Sequence, residues 1–461
     1  MIPDWIYISQ TAGTSGTTTI TVSAGTNNTD YVKYTSLIAN NTDNDLSESI
    51  DILQKAKGDI YNNEYLTFEI LSAGTIYWEY SGYTSNSASG IVECKRYIQY
   101  SVNDGNWVGI TSDWGKTKAI NVNSGDILKV KGNNIYYGAD GYLWERYNCF
   151  TSDYYVKFKV SGNIMSLIYG DDFGSKKTLT SAYTFYYLFK QCFGLVSAEE
   201  ISLPATNITP YCYASMFYQC SSLVSAPTIL PSKKLKIYCY SGMFESCFNL
   251  TTTPILPATT LADRCYDNMF AGCSKLTTAP ELPATTLANY CYEEMFSYCT
   301  SLTTAPVLPA TTLTDDCYRR MFESCRSLTT APDLPATTLA VGCYEEMFMG
   351  CSSLVTAPSE LPAKVLSNFC YNGMFRNCSS LVVAPILPAQ TMVTYCYVSM
   401  FNQCSSLNYI KCLAVNFHSG AMELNNWVYG VASSGTFVKA EGVNWVSGYN
   451  GIPSGWTIIN A

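Results

Sequence analysis

From Cys212 to Cys404 the chain writes one phrase eight times: Cys-Tyr-x-x-Met-Phe-x-x-Cys, a variant of Leu-Thr-Thr-Ala-Pro, a variant of Leu-Pro-Ala-Thr-Thr-Leu, then the next Cys-Tyr. The opening cysteines stand at Cys212, Cys239, Cys265, Cys291, Cys317, Cys343, Cys370 and Cys396, a period of 26 residues that lengthens to 27 after Cys212 and after Cys343. A unit of that size cannot bury its own apolar face and must stack on its neighbours, which makes this half of the chain a solenoid. Such an array offers an extended surface rather than a closed pocket.

Within the copy that opens at Cys291, a helix at about 100° per residue gathers Cys291, Tyr292, Met295, Phe296 and Cys299 on one face. Glu293, Glu294, Ser297 and Tyr298 fall opposite, so the spacing predicts a short amphipathic helix with a solvent face. The following Ser301-Leu302-Thr303-Thr304-Ala305-Pro306 is rich in Thr and closed by a helix-breaking proline. It reads as a short strand stacked in parallel on its counterparts. Leu308 to Leu313 then turns the chain toward the next helix, with Thr314 or Asp315 as its cap. Eight such coils at about 4.8 Å per strand give a sheet on the order of 40 Å long.

At these residues the chain resembles the BspA-like leucine-rich repeats of gut Bacteroidetes and their phages, whose units carry a similar Met-Phe-x-x-Cys-x-x-Leu phrase. The resemblance covers roughly residues 180 to 411 and implies a right-handed αβ solenoid. It names no ligand, because the family serves many kinds of surface contact. Leu188-Phe189-Lys190-Gln191-Cys192 reads as a degenerate first repeat. Gly162 to Leu167 with Asp171-Asp172-Phe173 resembles the junction before the repeats in related phage and Bacteroides proteins. Gly435 to Lys439 and Gly451 to Trp456 resemble their terminal module, expected to close the open edge of the solenoid.

The front half reads as all-β. Trp5 to Ile8, Thr17 to Val22 and Ser49 to Gln54 alternate apolar and polar residues between Gly-rich turns. With Gly13, Gly16 and Asn27 they resemble a BACON domain, a Bacteroidetes module associated with carbohydrate binding. This copy departs from the pattern at Tyr31-Val32-Lys33-Tyr34, where an Arg usually follows the Asn. Strands are again expected at Tyr65 to Ile70, Tyr97 to Val102, Asp126 to Val130 and Tyr155 to Val160, with Asn103-Asp104-Gly105-Asn106 as a hairpin turn. The expected fold is therefore multidomain: a BACON-like β-sandwich at 1–57, a second β-sandwich at 58–161, a leucine-rich-repeat solenoid with its N-terminal cap at 162–411, and a small β cap at 412–461.

Twenty cysteines would ordinarily suggest a disulfide scaffold. On a helix, however, the two cysteines of one repeat lie about 12 Å apart along the axis, beyond the reach of a disulfide. Packed helices about 8 to 10 Å apart would separate equivalent cysteines too far as well. The eight-residue spacing matches no zinc pattern, and His418 is the single histidine. The cysteines are therefore expected to be reduced, small buried hydrophobes.

The formal charge of -9, with 27 Lys and Arg, argues against a nucleic-acid partner. No run of about 20 apolar residues predicts membrane insertion, and Met1 to Trp5 lacks the basic start of an export signal. No carboxylate pair, nucleophile with its base, or phosphate loop is legible, so neither catalysis nor a cofactor or metal is expected. Asp171 and Asp172 read as solvated acids, and Asp315-Asp316 and Glu345-Glu346 as helix-end or surface charges. His418 reads as structural.

Two sets of residues could bind a ligand. Trp107, Trp114, Tyr142 and Trp144 lie in or beside loops of the second module, where flat rings suit sugar faces or a protein interface, or else fill a core. Thr277, Thr278, Thr303, Thr304, Thr329 and Thr330 form a ladder able to hydrogen-bond a linear glycan or partner loop, or else simply face solvent.

With the resemblance, these features lead to a non-enzymatic virion structural protein of a tailed Bacteroidetes phage, including the crAss-like phages: a fibre, spike or decoration component. Its N-terminal module would dock to other virion proteins, and the chain would contact host surface glycan or protein. The alternative is a bacterial cell-surface leucine-rich-repeat adhesin or glycan-binding protein whose leader is absent. No trimerising heptad appears, which leaves homo-oligomerisation open. Replacing Cys317 by Ser should cost on the order of 1–3 kcal/mol if the thiol is buried among apolar groups, as thermal unfolding would show.

Overall fold

The computed structural model describes residues 6–8, 22–24, 33–41, 46–54, 63–81, 97–111, 117–133, 147–417 and 422–461. In the first segment, β1 (Ile6–Ile8) pairs with β2 (Val22–Ala24), and β3 (Lys33–Asn41) with β4 (Leu46–Gln54), both antiparallel. Of the residues quoted for a BACON-like module, Trp5, Gly13, Gly16, Asn27 and Thr17 to Thr21 lie outside the described residues.

Two sheets follow. The larger joins β5 (Leu66–Ser72), β7 (Tyr97–Val102), β8 (Val108–Thr111), β10 (Ile127–Gly132) and β12 (Lys157–Asn163). The smaller holds β6 (Gly74–Ser81), β9 (Lys118–Val122) and β11 (Tyr147–Ser152). Alternate residues of β5, Leu66, Phe68 and Ile70, are buried, as the period-2 pattern requires. Phe68 reaches across to Phe150 of the other sheet at 5.0 Å between ring centres, so the two inner faces share a core. The Asn103–Asp104 turn has φ of 53° and 56°, and Gly105 N–H donates to the Val102 carbonyl, a hairpin turn as expected.

The larger sheet does not stop at the solenoid. β12 pairs in parallel with β13 (Leu195–Ser202), the first strand of the array, and Ser197 bridges to Ser225 in the next coil. Phe189 stacks on Phe150 on one side and Phe217 on the other, and Lys190 donates to the Tyr147 hydroxyl. The front module thus covers the first coil with both hydrogen bonds and apolar surface.

The repeat itself corrects the helix expectation. Among the described residues the repeats hold no helix; the helix Ser166–Tyr169 and the 3-10 turn Gly170–Asp172 lie before them. The Cys-Tyr-x-x-Met-Phe-x-x-Cys run is a chain of tight turns with a left-handed residue every fourth position: Tyr211, Ser215 and Gln219 at 58°, 52° and 58°, then Tyr238, Gly242 and Ser246 in the next coil. The N–H groups of Ala214, Met216, Tyr218 and Cys220 donate three residues back, to Tyr211, Tyr213, Ser215 and Phe217. Those of Tyr211, Tyr213, Ser215, Phe217 and Gln219 donate to Ile237, Cys239, Ser241, Met243 and Glu245 in the following coil. An α-helix would keep all of them within one segment. Without a helix there is no N-terminus for Thr314 or Asp315 to cap; the Asp315 carboxylate instead accepts the Val341 N–H of the next coil.

A four-residue turn repeat buries two adjacent residues in every four, nearly the set a helix of that length would bury. Cys291, Tyr292, Met295, Phe296 and Cys299 are all buried as expected, but Glu293 and Ser297, placed on the solvent side, are buried too. The Thr-rich strands reduce to parallel bridges, Thr278 to Thr304 and Thr330 to Thr356, with two further lines of bridges through Ile229–Ile255 and Thr260–Thr286. The turn run recurs in altered form before the first copy, with left-handed Tyr183, Tyr187 and Gln191, and after the last, with Asn426 and Gly430.

Two columns of rings thread the core. Phenylalanines from Phe189 to Phe401 stack at 5.3–5.8 Å, and tyrosines from Tyr213 to Tyr397 at 5.6–5.9 Å. Both converge on buried Trp427, whose indole N–H donates to the Gly451 carbonyl. Beyond it, β14 (Tyr409–Cys412), β15 (Thr436–Lys439) and β16 (Thr457–Asn460) run parallel. The segment expected to close the edge therefore caps the aromatic columns yet ends in a strand whose four residues are all exposed.

Left-handed turns and a helix respond oppositely to glycine. Ser324 has φ of 58°, and the same place in the neighbouring coil is Gly350 at 75°. Ser324→Gly should stabilise by about 0.5–1 kcal/mol, whereas in a helix it would destabilise. Gly350→Val should cost roughly 2 kcal/mol or more. Denaturant unfolding of the two variants measures both.

Candidate functional surface

Each coil contributes one residue to every column, so a site here is a row rather than a pocket. The phrase after the second cysteine places Leu276, Leu302 and Leu328 in the core and the two threonines that follow each of them outside. All six predicted residues, Thr277, Thr278, Thr303, Thr304, Thr329 and Thr330, are exposed and in register. The Thr303 hydroxyl donates to the Thr277 carbonyl at 3.2 Å, and Thr251 does the same to Val224 at 3.1 Å. Those hydroxyls have spent their proton on the neighbouring coil, which leaves their lone pairs facing outward. A second row, Thr259-Thr260, Thr285-Thr286, Thr311-Thr312 and Thr337-Thr338, comes from the Ala-Thr-Thr-Leu phrase and is likewise exposed. The same periodicity could have disclosed this row, since its threonines keep the spacing of the first.

Of the predicted aromatic set only Trp107 is described; Trp114, Tyr142 and Trp144 lie outside the described residues. Trp107 packs edge-on against Tyr65 at 5.2 Å, and the Lys131 ammonium sits 4.3 Å above its ring. That ring is engaged within the module. Lys131 also forms an ion pair with Asp171 at 2.7 Å, and the Tyr65 hydroxyl donates to the same carboxylate. The Lys131 and Tyr65 hydrogen bonds hold Asp171 below the usual carboxylate range. Asp171 is thus an exposed acid, as the sequence suggested, but one tethered by an ion pair. His418 lies outside the described residues.

The turn runs carry a ladder of ion pairs that sequence reasoning dispersed among separate helices. Arg264 and Arg319 clasp Glu293 from the coils on either side, at 2.7 and 2.9 Å. Arg319 reaches on to Glu345, and Arg320 pairs with Glu294 and Glu346. Arg264 also lies 3.8 Å over the Tyr290 ring. Glu345 and Glu346 are therefore partners in an inter-coil network, not helix-end charges. Asp263, Asn289 and Asp315 add a side-chain ladder, each accepting the backbone N–H one coil ahead, at 3.1, 3.2 and 3.0 Å.

The thiols have a specific task. In every copy the second cysteine aims its sulfur at the phenylalanine carbonyl of the preceding coil: Cys220 to Phe189, Cys247 to Phe217, Cys273 to Phe244 and so on to Cys404 and Phe375, at 2.9–3.2 Å. All nineteen described cysteines are buried and free; Cys94 lies outside the described residues. Burial pushes Cys220 up to about 12, so these are neutral thiols with little nucleophilic character. Among the described residues no group of three His, Cys, Asp or Glu is placed to hold a metal ion, and no helix is long and apolar enough to cross a membrane.

Two carboxyls sit in the wrong solvent. Burial pushes Glu245 up to about 7, with Glu294 adding repulsion. Burial and Glu293 push Asp267 up to about 7 as well, against the pull of Arg264.

The chain matches the BspA type leucine-rich repeat region in six copies, over residues 147–277, 186–329, 243–355 and 316–421, together more than half of its length. No curated protein matches it.

A raised carboxyl pKa favours the protonated folded state, so its contribution is full at low pH and is lost as pH climbs through about 7. Glu245→Gln should therefore raise stability by about 1–2 kcal/mol at pH 8 and change it little at pH 4. Melting curves across that range give the comparison.

Proposed function

The chain belongs to the BspA-type leucine-rich repeat family, and from that premise we propose that it is a non-enzymatic adhesion protein whose exposed threonine rows contact a surface glycan or protein. The observation that supports this most is the outward row at Thr251, Thr277, Thr303 and Thr329, in register on four successive coils and flanked by Val224 and Val355. Core columns fix its spacing, so the hydroxyls are ordered before a ligand arrives, and little entropy remains to be lost on binding. An extended partner with repeating polar groups fits such a row; a small molecule would use only a fraction of it. Of the six acids singled out in the sequence, Asp171, Glu345 and Glu346 are each held in an ion pair, which supports a non-catalytic role.

The setting we propose is the virion of a Bacteroidetes phage, as a fibre, spike or decoration component docked through its N-terminal module. The bacterial cell surface is the second reading. The cysteines are neutral, sequestered hydrogen-bond donors, which suits a reducing and an oxidising compartment alike.

Changing Thr277, Thr303 and Thr329 together to Lys should lower binding to isolated Bacteroidetes cell envelopes at least tenfold while leaving the melting temperature within a few degrees, because all three are exposed. Unchanged binding by the folded triple variant would remove the threonine row as the contact surface. Immunogold labelling of a lysing culture with antibody to residues 180–410 separates the settings: gold on particles supports the virion, and gold on uninfected envelopes supports the bacterial adhesin.

A further inference from the structure

Among the described residues, the parallel ladder of β14, β15 and β16 has one open side, along β16. Along it, Ile410, Phe437 and Ile458 occupy one register column. The first two are fully buried, whereas Ile458, in the same core position, is 52% exposed. Nothing described lies over it, although Trp427, Trp445 and Phe437 pack into a cluster one layer below.

The backbone of β16 specifies what can cover that side. Thr457 N–H donates inward to the Gly435 carbonyl, and Ala461 N–H to the Lys439 carbonyl. Because strand residues alternate direction, the N–H and C=O of Ile458 and Asn460 point away from the ladder. An edge with paired donors and acceptors takes an extended strand. The usual protections against such pairing are missing: Thr457-Ile458-Ile459-Asn460 contains no charge, no proline and no bulge.

We propose that β16 is a self-association edge, at which two copies of this chain pair antiparallel about a two-fold axis centred on Ile458. In that register the Ile458 N–H of each copy donates to the Ile458 carbonyl of the other, so one residue satisfies both outward groups at once. The two-fold keeps the core faces of both sheets on the same side, and the two Ile458 side chains meet, completing the column that Ile410 and Phe437 begin. The strand meets itself without like-charge repulsion. The product is two solenoids end to end with one continuous ladder, which presents two copies of every outward row to an extended partner.

Sedimentation velocity of the full chain across a wide concentration range tests this, with two variants. Ile458→Lys places a charge in the pair; its side chain is already half exposed, so the melting temperature should hold. Ile458→Pro removes the outward N–H, which the chain's own ladder does not use. The expected result is a reversible dimer whose dissociation constant rises at least tenfold in both variants. A chain that stays monomeric throughout, or a dimer that resists both substitutions, overturns the proposal.

Discussion

Everything in the repeat half depends on how the backbone of the turn run divides its hydrogen bonds. One N–H closes a turn within its own coil, and the next reaches across to the following coil, in unbroken alternation from Tyr213 to Cys220 and in the same pattern along the other copies. The alternation requires a left-handed residue every fourth position. Where that residue is not glycine it costs about 1–2 kcal/mol, a cost the inter-coil bonds must offset. In return, each coil is fixed to the next at bonding distance, and equivalent side chains are brought into contact. Two packed helices would hold them about 8–10 Å apart.

That short spacing explains the composition of the phrase. Rings stacked at 5.3–5.9 Å fill a column one ring per coil, so the aromatic positions admit little but Tyr or Phe. The sulfur at the last position of the phrase reaches the carbonyl of the coil behind at about 3 Å, a carbonyl that also accepts the N–H of the cysteine in its own coil. Alanine would leave that lone pair unused, and a larger apolar residue would not fit against it. Cysteine is retained as a small donor that is also apolar.

Much of this was legible in the sequence. The period, the stacked architecture, the buried face and the exposed threonines all follow from which positions repeat, and repetition reports burial regardless of backbone type. The backbone itself was not legible from the apolar pattern, because pairs of apolar residues four apart fit a short helix and a four-residue turn repeat equally well. A second signal was present. Gly242, Asn268, Gly272, Gly342, Gly350, Gly373 and Asn377 fall at the left-handed positions, and helix-weakening residues recurring at the same phase in four copies argue against a helix there. The ion-pair ladder was hidden for a related reason: Arg264 and Glu293, or Arg319 and Glu345, become neighbours only once coils stack this closely. In the front module the loop aromatics could not be told from packing residues, and Trp107 shows why, since its partners Tyr65 and Lys131 come from distant strands.

The columns inside and the rows outside are written independently. At the row position one residue past the core leucine, the chain reads Val196, Val224, Thr251, Thr277, Thr303, Thr329, Val355, Val382 and Asn408, while the core leucines Leu195, Leu223, Leu250, Leu276, Leu302, Leu328, Leu354, Leu381 and Leu407 do not change at all. Valine favours an extended backbone at least as well as threonine, so strand propensity does not explain why hydroxyls occupy four central coils and methyls the flanks. Solubility would scatter polar residues rather than gather them. Four coils at about 4.8 Å make a hydroxyl strip some 15–20 Å long between valine margins, and it is on this strip that the proposed contact rests.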